Sequence, residues 1–253
     1  MKIISIANRK GGVGKTVISG NIAYELSKMG YLVLMVDLDS QCDLSKIYLP
    51  GDYEGGSIFH LLRQQCKLDD ACVEVGENLY LIPGSRDIVH FDFRGSESIL
   101  LHYLKQECLE DVDFVIIDHP PALSESALAG FVASDEVVIV SDAEEFGVAN
   151  LGQLLDDLAH IQEAMNRDLH ILGILVNKID RRRKLTTVMV DELYKSFGNA
   201  VFRSSVGYDS AIPTAIRKGL PLRRLPWHSR ALGQIRHLTQ EVIERLGMNH
   251  GNG

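Results

Sequence analysis

Residues 9–16 read RKGGVGKT, and the reading of this stretch decides the fold. Gly14, Lys15 and Thr16 satisfy the second half of the phosphate-loop pattern G-x-x-x-x-G-K-[ST]. In that pattern backbone amides wrap phosphate oxygens and the lysine reaches the outer phosphates. The pattern asks for its first glycine at position 9, where this chain has Arg9, and a second lysine, Lys10, sits just inside the loop. The loop follows the apolar run IISIA (3–7) and precedes VISGNIAYELSKMG (17–30), in which Ile18, Ile22, Leu26 and Met29 recur at helical spacing and Gly30 is the stop. The amides of Gly11, Gly12, Val13, Gly14 and Val17, with Lys15, are therefore the expected phosphate cradle at a helix N-terminus. The hydroxyl of Thr16 is the expected Mg2+ ligand.

Strand-like runs alternate with helix-like ones outward from this loop. Further strands are expected at YLVLMVDLD (31–39), NLYLIPG (78–84), DFVIIDHPPAL (113–123, ending at Asp118), EVVIVSD (136–142) and LHILGILVNKID (169–180). Helices are expected near 57–66, 96–109, 124–133, 147–165, 185–197 and 228–247. Apolar, β-branched strands in a βαβα rhythm specify an α/β fold, one doubly wound and mostly parallel sheet with helices on both faces. With no internal repeat and no Pro-, Gly- or Ser-rich linker, residues 1–253 read as a single domain.

Ligands of such sheets gather at the carboxyl ends of the strands. Three carboxylates stand there: Asp37 and Asp39 after LVLMV, and Asp118 after FVII. Phosphoryl chemistry needs one carboxylate near the attacking water and others to hold the metal and its shell. The strand at 169–180 ends in Asn177-Lys178-Ile179-Asp180, a motif that reads guanine in many GTPases and here equally places Asn177 against adenine.

The net charge of −8 hides an asymmetry. Residues 1–169 hold 12 Lys+Arg against 28 Asp+Glu, a balance of −16, whereas residues 170–253 hold 14 against 6, a balance of +8. A basic half on an acidic background suggests a face for a polyanion. The four cysteines (Cys42, Cys66, Cys72, Cys108) form no CxxC pair, which argues against a metal cluster and for reduced thiols. The first residues lack the apolar length of a leader or a span, so a cytoplasmic protein is expected.

As a set, KGGVGKT (10–16), VDLDSQCDLS (36–45), VIIDHPPAL (115–123), EEFGVANLGQLL (144–155) and AIRKGLPL (215–222) resemble the ParA/MinD family of deviant Walker A ATPases, closest to the Soj-like ParA partition branch. The resemblance runs in order over nearly the whole chain. It implies an ATPase that forms a homodimer around ATP and Mg2+, in which Lys10 reaches the phosphates held by the other subunit. It implies Lys10, Lys15 and Asp39 as the catalytic set, Asp39 being the hydrolytic aspartate of the first switch. It implies Thr16, Asp37 and Asp118 around the metal, with Asp118 opening the second switch. The chain departs from the family at DLDSQCD, where DxDPQGN is usual, and at HPP, where CPP is usual; His119 is read as either a partner contact or a simple substitution.

The same resemblance implies nonspecific DNA as the track and an activator, ParB-like or other, that speeds hydrolysis through a basic flexible segment. Arg181, Arg182, Arg183, Lys184, Arg217, Lys218, Arg223 and Arg224 are the candidate DNA contacts, because phosphate binding needs only cations gathered on one face. The location implied is the cytoplasm, on the nucleoid. Two alternatives stand beside this reading, a MinD-like membrane-associated ATPase and a GTP-dependent regulator. The membrane alternative requires a tail with more cations and aromatic anchors than EVIERLGMNHGNG carries.

Overall fold

The computed structural model describes residues 1–248 except 50, 52, 107, 108, 122, 143–147, 181–183 and 228, and the backbone alone at 148–150 and 184–187. Eight strands form one sheet: β1 (Lys2–Ala7), β2 (Val33–Asp37), β3 (Val73–Gly76), β4 (Leu79–Ile82), β5 (Phe114–Asp118), β6 (Glu136–Asp142), β7 (His170–Ile179) and β8 (Val201–Gly207). Their order is β3-β4-β2-β5-β1-β6-β7-β8, and every pairing is parallel except β3 against β4. Ten α-helices accompany them among the described residues: α1 (Lys15–Lys28), α2 (Asp43–Tyr48), α3 (Ile58–Leu62), α4 (Leu68–Ala71), α5 (Ile99–Leu104), α6 (Glu125–Ala133), α7 (Val148–Ala164), α8 (Lys184–Phe197), α9 (Ala211–Lys218) and α10 (Arg230–Arg245).

The period-two alternation of each strand splits the core into layers. Ile4 and Ile6 of β1, Val33 and Met35 of β2, Phe114 and Ile116 of β5, and Val138 and Val140 of β6 bury against α1 and α10. Their neighbours Ile3, Leu34, Val36, Val115 and Ile117 bury on the opposite face with α3, α5 and α6. Val137 and Ile139 of β6 join Leu154, Leu158 and Ile161 of α7 in a third cluster. Burial on both faces is why these strands read as unbroken apolar runs.

Two strands and three helices were not expected from the sequence. β3 and β8 are sheet edges, short and with polar residues, so neither shows a long apolar run. The helices α2, α4 and α9 are eight residues or fewer, too short for a periodicity to declare itself. β8 illustrates how tertiary contacts supply what its sequence lacks. Glu241 of α10, buried, accepts hydrogen bonds from the amides of Arg203 (2.9 Å) and Ser204 (2.8 Å), and Arg245 donates to the same carboxylate. Edge amides are thereby satisfied by a side chain rather than left open to another chain.

Removing that carboxylate should expose the dependence. Glu241→Ala leaves two edge amides without their acceptor and Arg245 with backbone carbonyls such as those of Leu172 and Val201, a loss of about 2–4 kcal/mol by the cost of orphaned donors. Urea unfolding should show it, with Glu241→Gln falling between the wild type and the alanine variant.

Candidate nucleotide site

β1 lies among the central strands of the sheet; the chain leaves it toward β2 on one side and later crosses from β5 to β6 on the other, and this reversal opens a crevice at its carboxyl end. The loop 8–14 fills that position. Gly12 (φ 76°) and Gly14 (φ 97°) adopt left-handed backbone that other residues avoid, and a Cβ on Gly14 would collide with the side-chain amide of Asn177.

The loop is held by several neighbouring elements. Asn8 donates to the Val140 carbonyl of β6 at 2.6 Å and accepts from the amide of Lys10 at 2.8 Å. Asn177, at the end of β7 and buried, donates to the Val13 carbonyl at 2.7 Å. Lys178, with φ 55°, donates to the Gly12 carbonyl and lies 3.7 Å from Asp142. Arg9 pairs with Asp157 of α7 at 2.9 Å. The residue that breaks the loop pattern thus ties the loop to a helix. Sequence reading missed Asn8, Arg9 and Lys178 as loop supports; all three lie inside motifs it quoted or directly beside them.

Lys15 is buried and donates to the Lys10 carbonyl at 3.0 Å. Burial holds its pKa below the ordinary lysine value, against the opposing pull of Asp118 and Asp39. Thr16 and Ser19 of α1 both hydrogen-bond Asp118, Ser19 at 2.8 Å. Asp118 and Asp37 are register partners at the ends of β5 and β2, both fully buried. Burial pushes Asp118 up to about 8, with Asp37 adding repulsion, and pushes Asp37 up to about 6. Two carboxylates forced above their usual range beside a hydroxyl form a donor set that a hard divalent cation suits, so Thr16 and Asp118 fit Mg2+.

Asp37 is engaged differently. Its oxygens accept from the Asp39 amide (3.1 Å), the Ser45 amide (2.9 Å) and the Ser45 hydroxyl (2.6 Å), so it pins the 39–45 loop. Asp39 is half-buried and caps the Gln41 amide at 2.9 Å. Lys10 is exposed, Val13 buried and Val17 half-buried.

His119 is 1% exposed, so its side chain is part of the interior and not a surface contact. Its ring stacks on Phe131 with centroids 4.3 Å apart. The Ser134 hydroxyl donates to the Gly130 carbonyl, so Ser5 must donate to Ser134 and Nε2 of His119 to Ser5, at 2.6 Å. The imidazole is therefore the Nε2–H tautomer with a bare Nδ1, and that atom has no hydrogen-bond partner among the described residues.

Of the candidate polyanion contacts, Arg181, Arg182 and Arg183 lie outside the described residues, as does the side chain of Lys184. Arg217 and Lys218 end α9 and are exposed, Lys218 lying 5.8 Å above the ring of Trp227. Arg224 is exposed and donates to the Tyr24 hydroxyl at 3.4 Å. Arg223 departs from the expectation: its guanidinium forks onto the buried Glu25 of α1 at 2.8 and 2.7 Å, so its charge is neutralised within the fold. Arg236 approaches the same carboxylate at 3.5 Å.

A family model described as an AAA domain matches residues 1–171, the part that holds the loop and all three aspartates. The sporulation initiation inhibitor protein Soj of Bacillus subtilis is 31% identical, over 95% of this chain and 98% of the relative. The chain belongs to the ParA/MinD family of P-loop ATPases. The chromosome-partitioning ATPase Soj of Thermus thermophilus is 30% identical over 96% of each chain. The septum site-determining protein MinD of Pyrococcus horikoshii, solved with Mg-ADP, superposes with a TM-score of 0.82 and 25% identity, covering 100% of this chain and 99% of that one. The family's fold, an eight-strand and mostly parallel sheet with helices on both faces, is the fold described above.

The buried histidine gives a pH signature. Burial lowers its pKa from 6.5 to about 3, so the unfolded chain binds a proton over that interval that the folded chain does not. Its contribution is fully present above pH 6.5 and is lost as pH falls toward 3, by up to about 1.4 kcal/mol per pH unit. Urea titrations between pH 6.5 and 5 should show wild type losing more stability than His119→Gln, and 15N spectra should show Nδ1 unprotonated.

Proposed function

We propose that this chain is a slow, partner-stimulated ATPase of the positioning type, which forms a homodimer on ATP and grips duplex DNA without reading its sequence. The observation that carries this reading is the convergence of Lys15, Thr16 and Asp118 at the Gly12–Gly14 turn, with Lys10 exposed beside it. In this reading residues 1–253 act as a single ATPase domain in the cytoplasm, on the nucleoid. The cargo is a plasmid, a chromosome or a protein assembly.

The amides of Gly11, Gly12, Val13, Gly14 and Val17 cradle the phosphates, and Asn177 keeps the cradle closed from β7. Thr16 and Asp118 hold Mg2+ while Asp37 fixes the loop that presents Asp39. When bound, the cation neutralises charge on the phosphate oxygens. Lys15 supplies a second positive charge from the same subunit, and Lys10 a third to the partner's phosphates. A clamp completed only across the dimer explains why one subunit alone should be slow. Asp39 orients the attacking water. Arg217, Lys218 and Arg224, together with Arg181, Arg182, Arg183 and Lys184, make the DNA face, whereas Arg223 ties that face to α1. Arg217, Lys218 and Arg224 pair with no carboxylate among the described residues.

A second reading draws on Trp227 and Ile216, which are 46% and 47% exposed beside Arg217 and Lys218. Apolar side chains among cations also suit an anionic lipid surface. Among the described residues no helix is long and apolar enough to cross a membrane.

Sedimentation with ATP, ADP, GTP or no nucleotide tests the scheme. Lys15→Ala should abolish ATP-dependent dimerisation and lower hydrolysis by about 100-fold or more. Asp39→Ala should accumulate as a long-lived ATP dimer that still binds DNA. Dimerisation that is equal with and without ATP rejects the proposal. Substituting Arg217 and Lys218 with alanine should weaken DNA binding and flatten its salt dependence by about 0.9 in log–log slope per lost contact. Arg223→Ala should instead lower stability first. Retention on anionic vesicles, with no binding to DNA, would select the lipid reading.

A further inference from the structure

Trp227 is the sole tryptophan of the chain, and it stands 46% exposed on the segment that joins α9 to α10. Nothing in the nucleotide site uses it. The backbone around it is held on both sides. Leu222 and Leu225 are buried in the core before it, and after it the Ser229 hydroxyl caps α10 by accepting from the Leu232 amide at 3.0 Å. α9 stops at Gly219, whose left-handed backbone (φ 59°) makes Lys218 the last helical residue. From there the Lys218 ammonium lies 5.8 Å over the centre of the indole, within cation–π reach. Arg217 and Arg224 are exposed in the same region. Arg217 reaches the Thr214 hydroxyl at 3.5 Å and Arg224 the Tyr24 hydroxyl at 3.4 Å, contacts that leave both charges unneutralised.

We infer that this face takes an unpaired DNA strand in preference to a duplex, with Trp227 stacking on a base while Arg217, Lys218 and Arg224 take the phosphates beside it. The inference rests on the DNA-binding part of the proposed function and names the form of DNA that the face prefers. Charge gives the class of ligand. The one acid between residues 205 and 240, Asp209, is engaged by the amides of Ala211 and Ala231, so the exposed cations suit a polyanion. The indole gives its form. In a duplex each base is covered above and below by its neighbours, and a surface aromatic meets sugar and phosphate instead. An unpaired base offers its face, and stacking on an aromatic side chain adds affinity whatever the sequence. Lys218 covers one side of the ring, so a base laid on the other side extends a stack that already carries positive charge for the adjoining phosphate. The backbone held around Trp227 keeps the ordering cost of that stack small. A lipid surface fits less well. It asks for a continuous apolar helix face, whereas α9 exposes one large apolar side chain, Ile216.

With a single tryptophan in the full chain, intrinsic fluorescence reads this face directly. Titrations with and without ATP use oligothymidylate, a hairpin duplex with the same number of phosphates, and inorganic polyphosphate. Oligothymidylate should quench the emission by about half or more, whereas the duplex and polyphosphate should bind with little quenching. Anisotropy of labelled DNA then gives the affinities. Trp227→Ala should weaken the unpaired strand about tenfold or more and the duplex less than about twofold, and Trp227→Phe should keep most of the strand affinity. Equal losses for strand and duplex, no loss for either, or a wild type that binds the duplex more tightly than the strand overturns the inference. A blue shift on vesicles of phosphatidylglycerol and phosphatidylcholine in equal parts, without strand binding, assigns the face to lipid and overturns it equally. Failure of the proposed function reads differently. Duplex binding that is intact and indifferent to Trp227 rejects this inference alone. Dimerisation that ignores ATP, beside Trp227-dependent strand binding, rejects the positioning ATPase and leaves the inference standing.

Discussion

Asp37 and Asp118 are brought side by side at the ends of two adjacent parallel strands, and both are sealed from water. Two carboxylates so placed lose hydration, and Asp37 adds repulsion at Asp118, so both are held above their ordinary range. The surroundings answer each differently. Asp37 takes three hydrogen bonds from the loop that follows it and so becomes the anchor of that loop. Asp118 takes hydroxyls from Thr16 and Ser19 and the field of Lys15, all from the first turns of α1. The residues around the loop are arranged to manage negative charge, both their own and that of any phosphate.

α1 extends that arrangement to the far side of the molecule. Its first residues face Asp118, while Asn21 accepts from the Leu222 amide at 2.8 Å and Glu25 gathers Arg223 and Arg236. One rigid helix therefore touches the phosphate end and the cationic end, about 15 Å apart at 1.5 Å rise per residue over ten residues. The 222–224 segment is thus joined by direct hydrogen bonds to the helix that carries Thr16.

The central strands, the phosphate loop and the three aspartates were legible because each follows from a strong local rule: unbroken apolar runs for strands buried on both faces, glycines where φ is positive, carboxylates at strand ends. What was illegible depends on contacts far apart in sequence. The edge strand β8 exists because Glu241 satisfies its amides from 37 and 38 residues away. Arg9 reads as a broken motif until Asp157 is found opposite it, and Arg223 reads as a surface cation until Glu25 is found beneath it. His119 reads as a substitution in a loop, and only the packing of Phe131, Ser5 and Ser134 shows it to be interior.

The charge asymmetry of the sequence takes on a sharper form in three dimensions. Part of the excess of cations after residue 170 is spent internally: Arg223 and Arg236 on Glu25, Arg203 and Arg245 on Glu241 and Glu244, Lys178 on the loop carbonyl and Asp142. The remainder is not spread evenly. Arg217, Lys218 and Arg224 cluster where α9 ends and the chain turns back toward α1, with Trp227 among them. From residue 205 to 240 the sequence holds a single acid, Asp209, and its oxygens cap the amides of Ala211 and Ala231. The one acid of that stretch is turned inward, while Arg223 and Arg236 are answered by Glu25 of the helix that begins at the phosphate loop, so the positive charge that reaches solvent there is carried by residues such as Arg217, Lys218 and Arg224.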